Sequence, residues 1–423
     1  MVWRAEEDDE RAWVEYATAE GAIEVAPQTD ADPGYHRVLV LGHPASTMVN
    51  LTPVVQRDGE RIEGDEVAVE TGVLPAGLSD FEVQVSETGQ SEESYWMGML
   101  LKAGELGYDG VPLIINRAGQ IVWYRQLDVN ASALQLERYL GSNDIVINLL
   151  VLDLYDVIPQ SMLRFGMDGE LTSELSTPGS HHAFAQPEPG IIAFLKEQEQ
   201  VFEEYDDVII IGDQIIEVDA SGELTEVFNT WGTIDIDLEA ATVGDDEIVD
   251  WTHGNGLFYW AENDSYLVSF HNLSAVLEVS RATGEILAVI GEPVAEPSFS
   301  FTGGQEEAFY QQHHPTITPE GTLMLFDNHT VEQGMSRAVE YELDYSAQTA
   351  TLIWEDPLDN GYTVGGLGQS LRLLNGNTLI NWGVLGELAE VTAEGELVWQ
   401  VNTPLGETFG GGQLIDDLYE GLQ

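Results

Sequence analysis

The chain of 423 residues contains no cysteine. That excludes a disulfide framework, a thiolate metal site and a cysteine nucleophile. Positive charge is nearly as scarce. Fourteen Lys and Arg, of which only Lys102 and Lys196 are lysines, face 75 Asp and Glu, for a formal charge of −61. A polyanion needs a basic footprint, so nucleic acid is excluded as a partner. The acids run along the whole chain, which reads as a solvated surface. A lysine-poor acidic surface also suits high salt, where screening relieves self-repulsion. The group Glu203, Glu204, Asp206 and Asp207 offers oxygen ligands for calcium, with a solvated loop as the plainer reading. No run approaches the ~18 uncharged apolar residues of a membrane span. The opening Met-Val-Trp-Arg-Ala-Glu-Glu-Asp-Asp-Glu lacks the basic start and apolar run of a secretion signal. The expectation is an intracellular protein or a chain that follows a removed signal.

Against these absences stand nine histidines, seven of them between residues 181 and 329. They fall as His181-His182, His253, His271, His313-His314 and His329, mostly near one point of a repeated unit. Its clearest copies are Asn-Arg-Ala-Gly-Gln-Ile-Val-Trp (116–123), Gly-Met-Asp-Gly-Glu-Leu (166–171) and Glu-Val-Asp-Ala-Ser-Gly-Glu-Leu (217–224). It returns at 278–287, degenerates at 340–354 and ends as Glu-Val-Thr-Ala-Glu-Gly-Glu-Leu-Val-Trp (390–399). Gly119, Gly169, Gly222, Gly284 and Gly395 mark hairpin turns, where positive φ is cheap only for glycine. A second turn precedes an apolar strand in each unit, as in Ser142-Asn143-Asp144, Pro189-Gly190, Asn263-Asp264, Pro319-Glu320-Gly321 and Asn375-Gly376-Asn377. Six β units with two hairpin signals each predict a six-bladed β-propeller over 95–423. Histidines at like positions would then converge on one axial pocket. Trp123, Trp354 and Trp399 are expected to pack between blades.

Residues 1–90 lack the repeat and alternate in short strands, Phe81–Val85 among them, which predicts an N-terminal β-sandwich-like domain. The polar stretch 86–94 reads as the linker.

Four ordered stretches resemble the bacterial and archaeal arylsulfate sulfotransferases: His-His-Ala-Phe (181–184), Asp-Trp-Thr-His-Gly-Asn (250–255), Gln-His-His-Pro (312–315), and Phe-Asp-Asn with Ser-Arg (326–328, 336–337). The similarity covers most of 95–402. It implies a six-bladed propeller that moves a sulfuryl group from an aryl sulfate donor to a phenolic acceptor through a sulfohistidine, with no cofactor and no metal. It also implies a periplasmic or extracellular protein. By the motifs His313 is the nucleophile, His253 and Asn255 contact sulfate and phenol oxygens, and His182 contacts sulfate. Two departures stand out. Ala183 replaces the family's usual Asp, and His271 stands where the family has an arginine, so a forked, always-charged oxyanion donor is missing.

The reaction needs a nucleophile, donors on the sulfuryl oxygens and an acid for the departing phenolate. A neutral imidazole is a competent nucleophile near neutral pH, and His313 would supply it. His182, Asn255 and His271 would supply donors, and His253 the proton shuttle. Arg337 would replace the missing arginine if it reaches the axis. Trp251, Phe258, Phe270, Phe309 and Tyr310 could stack on an aryl ring. His329 reads as a loop residue, and Asp327 and Asn328 as turn residues. Two other readings stay open: a metal-dependent hydrolase using several His with Asp250 or Asp327, and a non-catalytic ligand-binding propeller.

Overall fold

The computed structural model describes residues 1–420 except 7–8, 18–22, 29, 33, 87–94, 105–106, 128–132, 150–159, 203–207, 237, 239–240, 244–247, 330–333 and 357–360. The expected linker, apart from Ser86, and the 203–207 acidic group lie outside the described residues. Among those described, the chain is all-β, with no α-helix.

From residue 95 onward the strands pair antiparallel in runs of four. The runs are not all separate sheets. Ser298–Phe301 pairs in parallel with Ile286–Gly291 and with Thr349–Glu355 and joins two runs into one nine-stranded sheet, and Val249–Asp250 adds in parallel to Val208–Asp219. Five runs are simple meanders. They run Leu136–Arg138 to Leu171–Ser176, Ser180–Glu188 to Leu224–Asn229, Gly254–Trp260 to Ile286–Gly291, His313–Ile317 to Thr349–Glu355, and Gln369–Arg372 to Leu397–Asn402. The sixth combines the two ends of this region. Tyr95–Gly104, Gly107–Asn116 and Ile121–Tyr124 take the late strand Glu407–Ile415 as their fourth member, with Trp96 opposite Leu414. Counting this closing sheet as the first, consecutive sheets share apolar cores. Met97 and Ile147 meet between the first and second, Val146 and Phe194 between the second and third, and Ile215 and Val268 between the third and fourth. Leu267 and Leu325 follow, then Phe326 and Ile380, and Leu379 with Trp96 brings the last sheet back to the first.

This packing explains the burial along each unit. Second strands are covered on both faces, so Ile145–Leu149, Ser265–Phe270 and Leu323–Asp327 are buried at every residue. The outer strand Leu171–Ser176 is almost wholly exposed. Gly119, Gly169, Gly222, Gly284 and Gly395 all have φ between 70° and 86° and each turns one strand into the next, as expected. The repeated tryptophans tie neighbouring sheets through one hydrogen bond each. Trp123, Trp354 and Trp399 donate from Nε1 to the carbonyls of Met167, Ala393 and Arg117, each two residues before the turn glycine of the next sheet.

Residues 1–70 form two smaller sheets, one around Asp9–Ala17 and Met48–Arg57, the other joining Val2–Arg4, Tyr35–Arg37 and Asp30–Asp32. Their core is not separate. Val14, Tyr16 and Val38 belong to one cluster with Met97, Ile145 and the late residues Leu418 and Tyr419. One expectation is corrected. Glu82–Ser86, assigned by its alternation to the N-terminal unit, pairs with Leu397–Asn402 as a fifth strand of the last sheet, Trp399 opposite Ser86. It caps an edge that would otherwise present unpaired backbone groups.

Candidate active site

His181-His182, His253 and His313-His314 sit where a first strand begins and His271 where a second strand ends, so all lie at the same end of their sheets. The strands there are irregular. Register shifts occur at His181/Phe184, Gly254/Gly256 and His313/Thr316. His182, His253 and His314 hold φ of 48°, 50° and 53°. Left-handed backbone at a residue with a Cβ costs on the order of 1–2 kcal/mol, and such outliers cluster at functional sites.

The result is a continuous arc of five imidazoles. Ring centroids are 5.1 Å apart from His181 to His182, 4.9 Å to His253, 5.3 Å to His271 and 5.5 Å to His313. Burial, then the neighbouring imidazoles, pushes His182 well below the usual histidine range. Burial lowers His271 as well, takes His313 to about 3 and His314 to about 4. These four rings are therefore neutral near pH 7.

His313 is held in one tautomer. Its Nδ1 lies 2.7 Å from Asn328 Oδ1. The Asn328 amide cannot be turned over, because its Nδ2 donates to the carbonyls of Val364 and Leu367 at 2.8 and 2.9 Å. The oxygen facing His313 only accepts, so the ring proton sits on Nδ1 and Nε2 carries a lone pair. Next along the arc, His253 Nδ1 lies 2.6 Å from Asp250 Oδ2, and the same carboxylate takes the His253 backbone N–H through Oδ1. His271 Nδ1 contacts Asn272 Oδ1 at 3.0 Å. Asn255 donates from Nδ2 to the Gln312 carbonyl at 2.9 Å, which leaves its buried Oδ1 without a protein partner.

A small cavity of about 40 Å³ lies against this arc. It is lined by His182, Asn255, His313 and His314 together with Gln135 and Gln369 from the flanking sheets.

Five of the six expected site residues thus come together: His182, Asn255 and His313 at the cavity, with His253 and His271 in the arc. Arg337 does not join them. Its guanidinium is bound by Asp327 at 3.0 Å, Glu355 at 2.7 Å and the Ala308 carbonyl at 3.1 Å, and these partners hold it in place. The aromatic expectation is corrected too. Trp251, Phe270 and Phe309 are core residues at 0–1% exposure, Phe258 packs into the same sheet-to-sheet cluster as Phe309, and Tyr310 is tied to Gln305. His329 is a loop residue as read, held by Asp327 and the Met335 carbonyl. Among the described residues no group of three or more His, Asp or Glu converges as a metal site. Sequence reasoning missed the work of Asn328, taken for a turn residue, and of Asp213, which lies beside His181. Asn328 was visible as part of the Phe-Asp-Asn motif; Asp213 had no signal.

No curated protein matches the chain. Solved structures that resemble it do so at low identity. A nidogen/laminin complex shares 11% identity and a TM-score of 0.45, covering 75% of this chain and 97% of the other. A streptogramin B lyase shares 10% and 0.41, covering 77% and 88%. A putative 6-phosphogluconolactonase from Bacteroides fragilis shares 11% and 0.37, covering 96% and 99%. Such distant likenesses say nothing about substrate. The sequence profile of the arylsulfotransferases (ASST) matches residues 84–401, a span that contains every histidine of the arc. This chain belongs to the arylsulfotransferase family.

Proposed function

We propose that the chain is an aryl sulfotransferase on a six-bladed β-propeller, in which His313 carries the sulfuryl group between an aryl sulfate and a phenol. The observation that supports this most directly is the Asn328-fixed tautomer of His313, a buried neutral ring with its lone pair on Nε2. Nε2 attacks sulfur as the S–O bond to the aryl oxygen breaks. The ring becomes a sulfo-imidazolium whose Nδ1–H stays on the Asn328 carbonyl. An amide oxygen rather than a carboxylate partner leaves that cation only partly relieved, which favours transfer onward to the acceptor oxygen. His253, held by Asp250, passes a proton to the departing phenolate and recovers one from the incoming phenol. His182 and His271 face the sulfuryl oxygens. Asn255 offers an acceptor, so it suits the phenolic O–H better than a sulfuryl oxygen.

The test is incubation of the protein with a chromogenic aryl sulfate, with and without a phenol, in low and in molar salt. His313→Ala runs beside it. Without acceptor, one equivalent of phenolate and a mass gain of one SO3 are expected, and both vanish in the variant. No release at either salt level from folded protein overturns the reading. The absence of the family arginine at His271 favours the second reading, a non-catalytic binding propeller, and that same outcome would support it.

A further inference from the structure

His314 follows the nucleophile in sequence and lines the same cavity. Successive residues of a regular strand point to opposite faces, so two neighbours reach one cavity only where the strand is distorted. Here it is: the pairing with Leu323–Asp327 skips from His313 to Thr316, and His314 holds φ of 53°. Irregularities of this kind re-aim side chains, and left-handed backbone outside glycine persists only where the surroundings enforce it. The backbone of the neighbouring sheet does so at Gly256, where an added Cβ would come within 2.9 Å of the His314 amide nitrogen.

The cavity is rich in polar groups but poor in free donors. His313 Nε2 offers a lone pair. The Asn255 amide nitrogen is turned to the Gln312 carbonyl, that of Gln135 to Glu137 and the Phe184 carbonyl, and that of Asn381 to the carbonyls of Phe409 and Gly410. His182 shares Nδ1 with His181 and is set on the sulfuryl oxygens. Two groups remain. Gln369 accepts the Gly412 N–H with Oε1, which fixes the amide and leaves Nε2 without a partner among the described residues. The His314 ring makes no hydrogen bond to any described residue, and its nitrogens are open to water-sized space where Asn255 Oδ1 is sealed. Burial alone acts on its titration. With no other partner to satisfy, this ring can turn an N–H to the cavity in either tautomer without giving up a hydrogen bond.

We propose that His314 and Gln369 are further catalytic residues that donate together to the aryl oxygen, the atom through which the phenol joins and leaves sulfur. As the S–O bond breaks, its electron pair stays on that oxygen, and the two N–H groups stabilise the charge that develops there. Both protons stay on their own nitrogens; proton transfer remains with His253. A neutral imidazole is a sufficient electrophile for such a role. The assignment rests on the aryl sulfotransferase reading and adds to it the half of the site that binds the aryl oxygen.

The test is single-turnover release of phenolate, without acceptor, from aryl sulfates whose phenols span a range of acidity. A donor on the aryl oxygen matters more as that oxygen must hold more charge. His314→Phe is therefore expected to lose roughly tenfold with a nitrophenyl sulfate and roughly 10²–10³-fold with an unsubstituted phenyl sulfate, the upper range typical of removing one oxyanion donor. Its dependence on phenol acidity becomes steeper than that of the wild type, and Gln369→Leu steepens in the same sense. His314→Gln, which returns an N–H, recovers most of the loss. A residue that only packs would slow every donor alike. Parallel dependences in either variant therefore overturn the assignment of that residue, while turnover by the wild type keeps the sulfotransferase reading. A wild-type protein that releases no phenolate from any donor overturns both. Should His314→Phe not fold, the wild type decides: the ¹⁵N resonances of the His314 ring, assigned through His314→Gln, are expected to move when a phenol is added alone. Resonances unmoved by saturating phenol overturn the proposal.

Discussion

Asn328→Ala isolates the tautomer of His313 from the histidine itself. Asn328 is fully buried and makes three hydrogen bonds, to His313 Nδ1 and to the carbonyls of Val364 and Leu367. Truncation strands one N–H and two C=O groups, each costing about 1–3 kcal/mol when left dry. With partial relief by water, a stability loss on the order of 2–5 kcal/mol is expected. The kinetic effect is separate. Without an acceptor at Nδ1, the ring can place its proton on Nε2 and present no lone pair to sulfur. A wrongly protonated catalytic imidazole can cost up to about 10⁴ in rate; because the free ring still samples both tautomers, a loss of roughly 10²–10³ is expected here. The assay is a stopped-flow burst of phenolate without acceptor, at a temperature where thermal melting shows the variant folded. A burst rate within about threefold of wild type, less than 1 kcal/mol in barrier terms, would refute the assignment of Nε2 as the nucleophile.

Two further outcomes follow from the arc. His313 falls from 6.5 to about 3 on folding, so its contribution to stability is full above pH 6.5 and is lost as pH drops toward 3. At about 1.4 kcal/mol per unit this is on the order of 5 kcal/mol. Denaturant midpoints should therefore fall between pH 7 and pH 4 more steeply in the wild type than in His313→Gln; equal slopes would contradict the buried neutral ring. His271→Arg restores the forked cation beside His253 and His313, whose rings lie 5.3 and 5.5 Å away, and should lower the aryl sulfate KM by roughly tenfold. A KM that stays the same or rises would remove His271 from the sulfuryl contacts.

Much of this was legible before any coordinates. The turn glycines, the second hairpin signal and the tryptophans are local: each states a backbone or packing requirement within a few residues of itself. Hence the sheets and their ties fall where the repeat indicated. Glu82–Ser86 was misplaced because alternation reveals a strand but not its partner. Arg337 was misjudged for a related reason. Proximity to the Phe-Asp-Asn strand is real, since Asp327 pairs with Arg337 in register, but that same proximity delivers the guanidinium to Asp327. Trp251 and Phe270 lie beside site residues in sequence and are still core residues, because the apolar cluster shared by neighbouring sheets takes up both rings.

By itself the sequence determined the all-β character, the recurrence of a β unit, the family and the places of the histidines along the chain, since hydrophobic period, turn chemistry and motif order are carried by residue type. Only the tertiary structure decided the state of those histidines. Tautomer and charge depend on which oxygen lies within hydrogen-bond reach and on how completely water is excluded. Asn328 reaches His313 from the end of a neighbouring strand, and Asp213 reaches His181 from 32 positions further along the chain. Such contacts exist only once the strands have closed around the cavity.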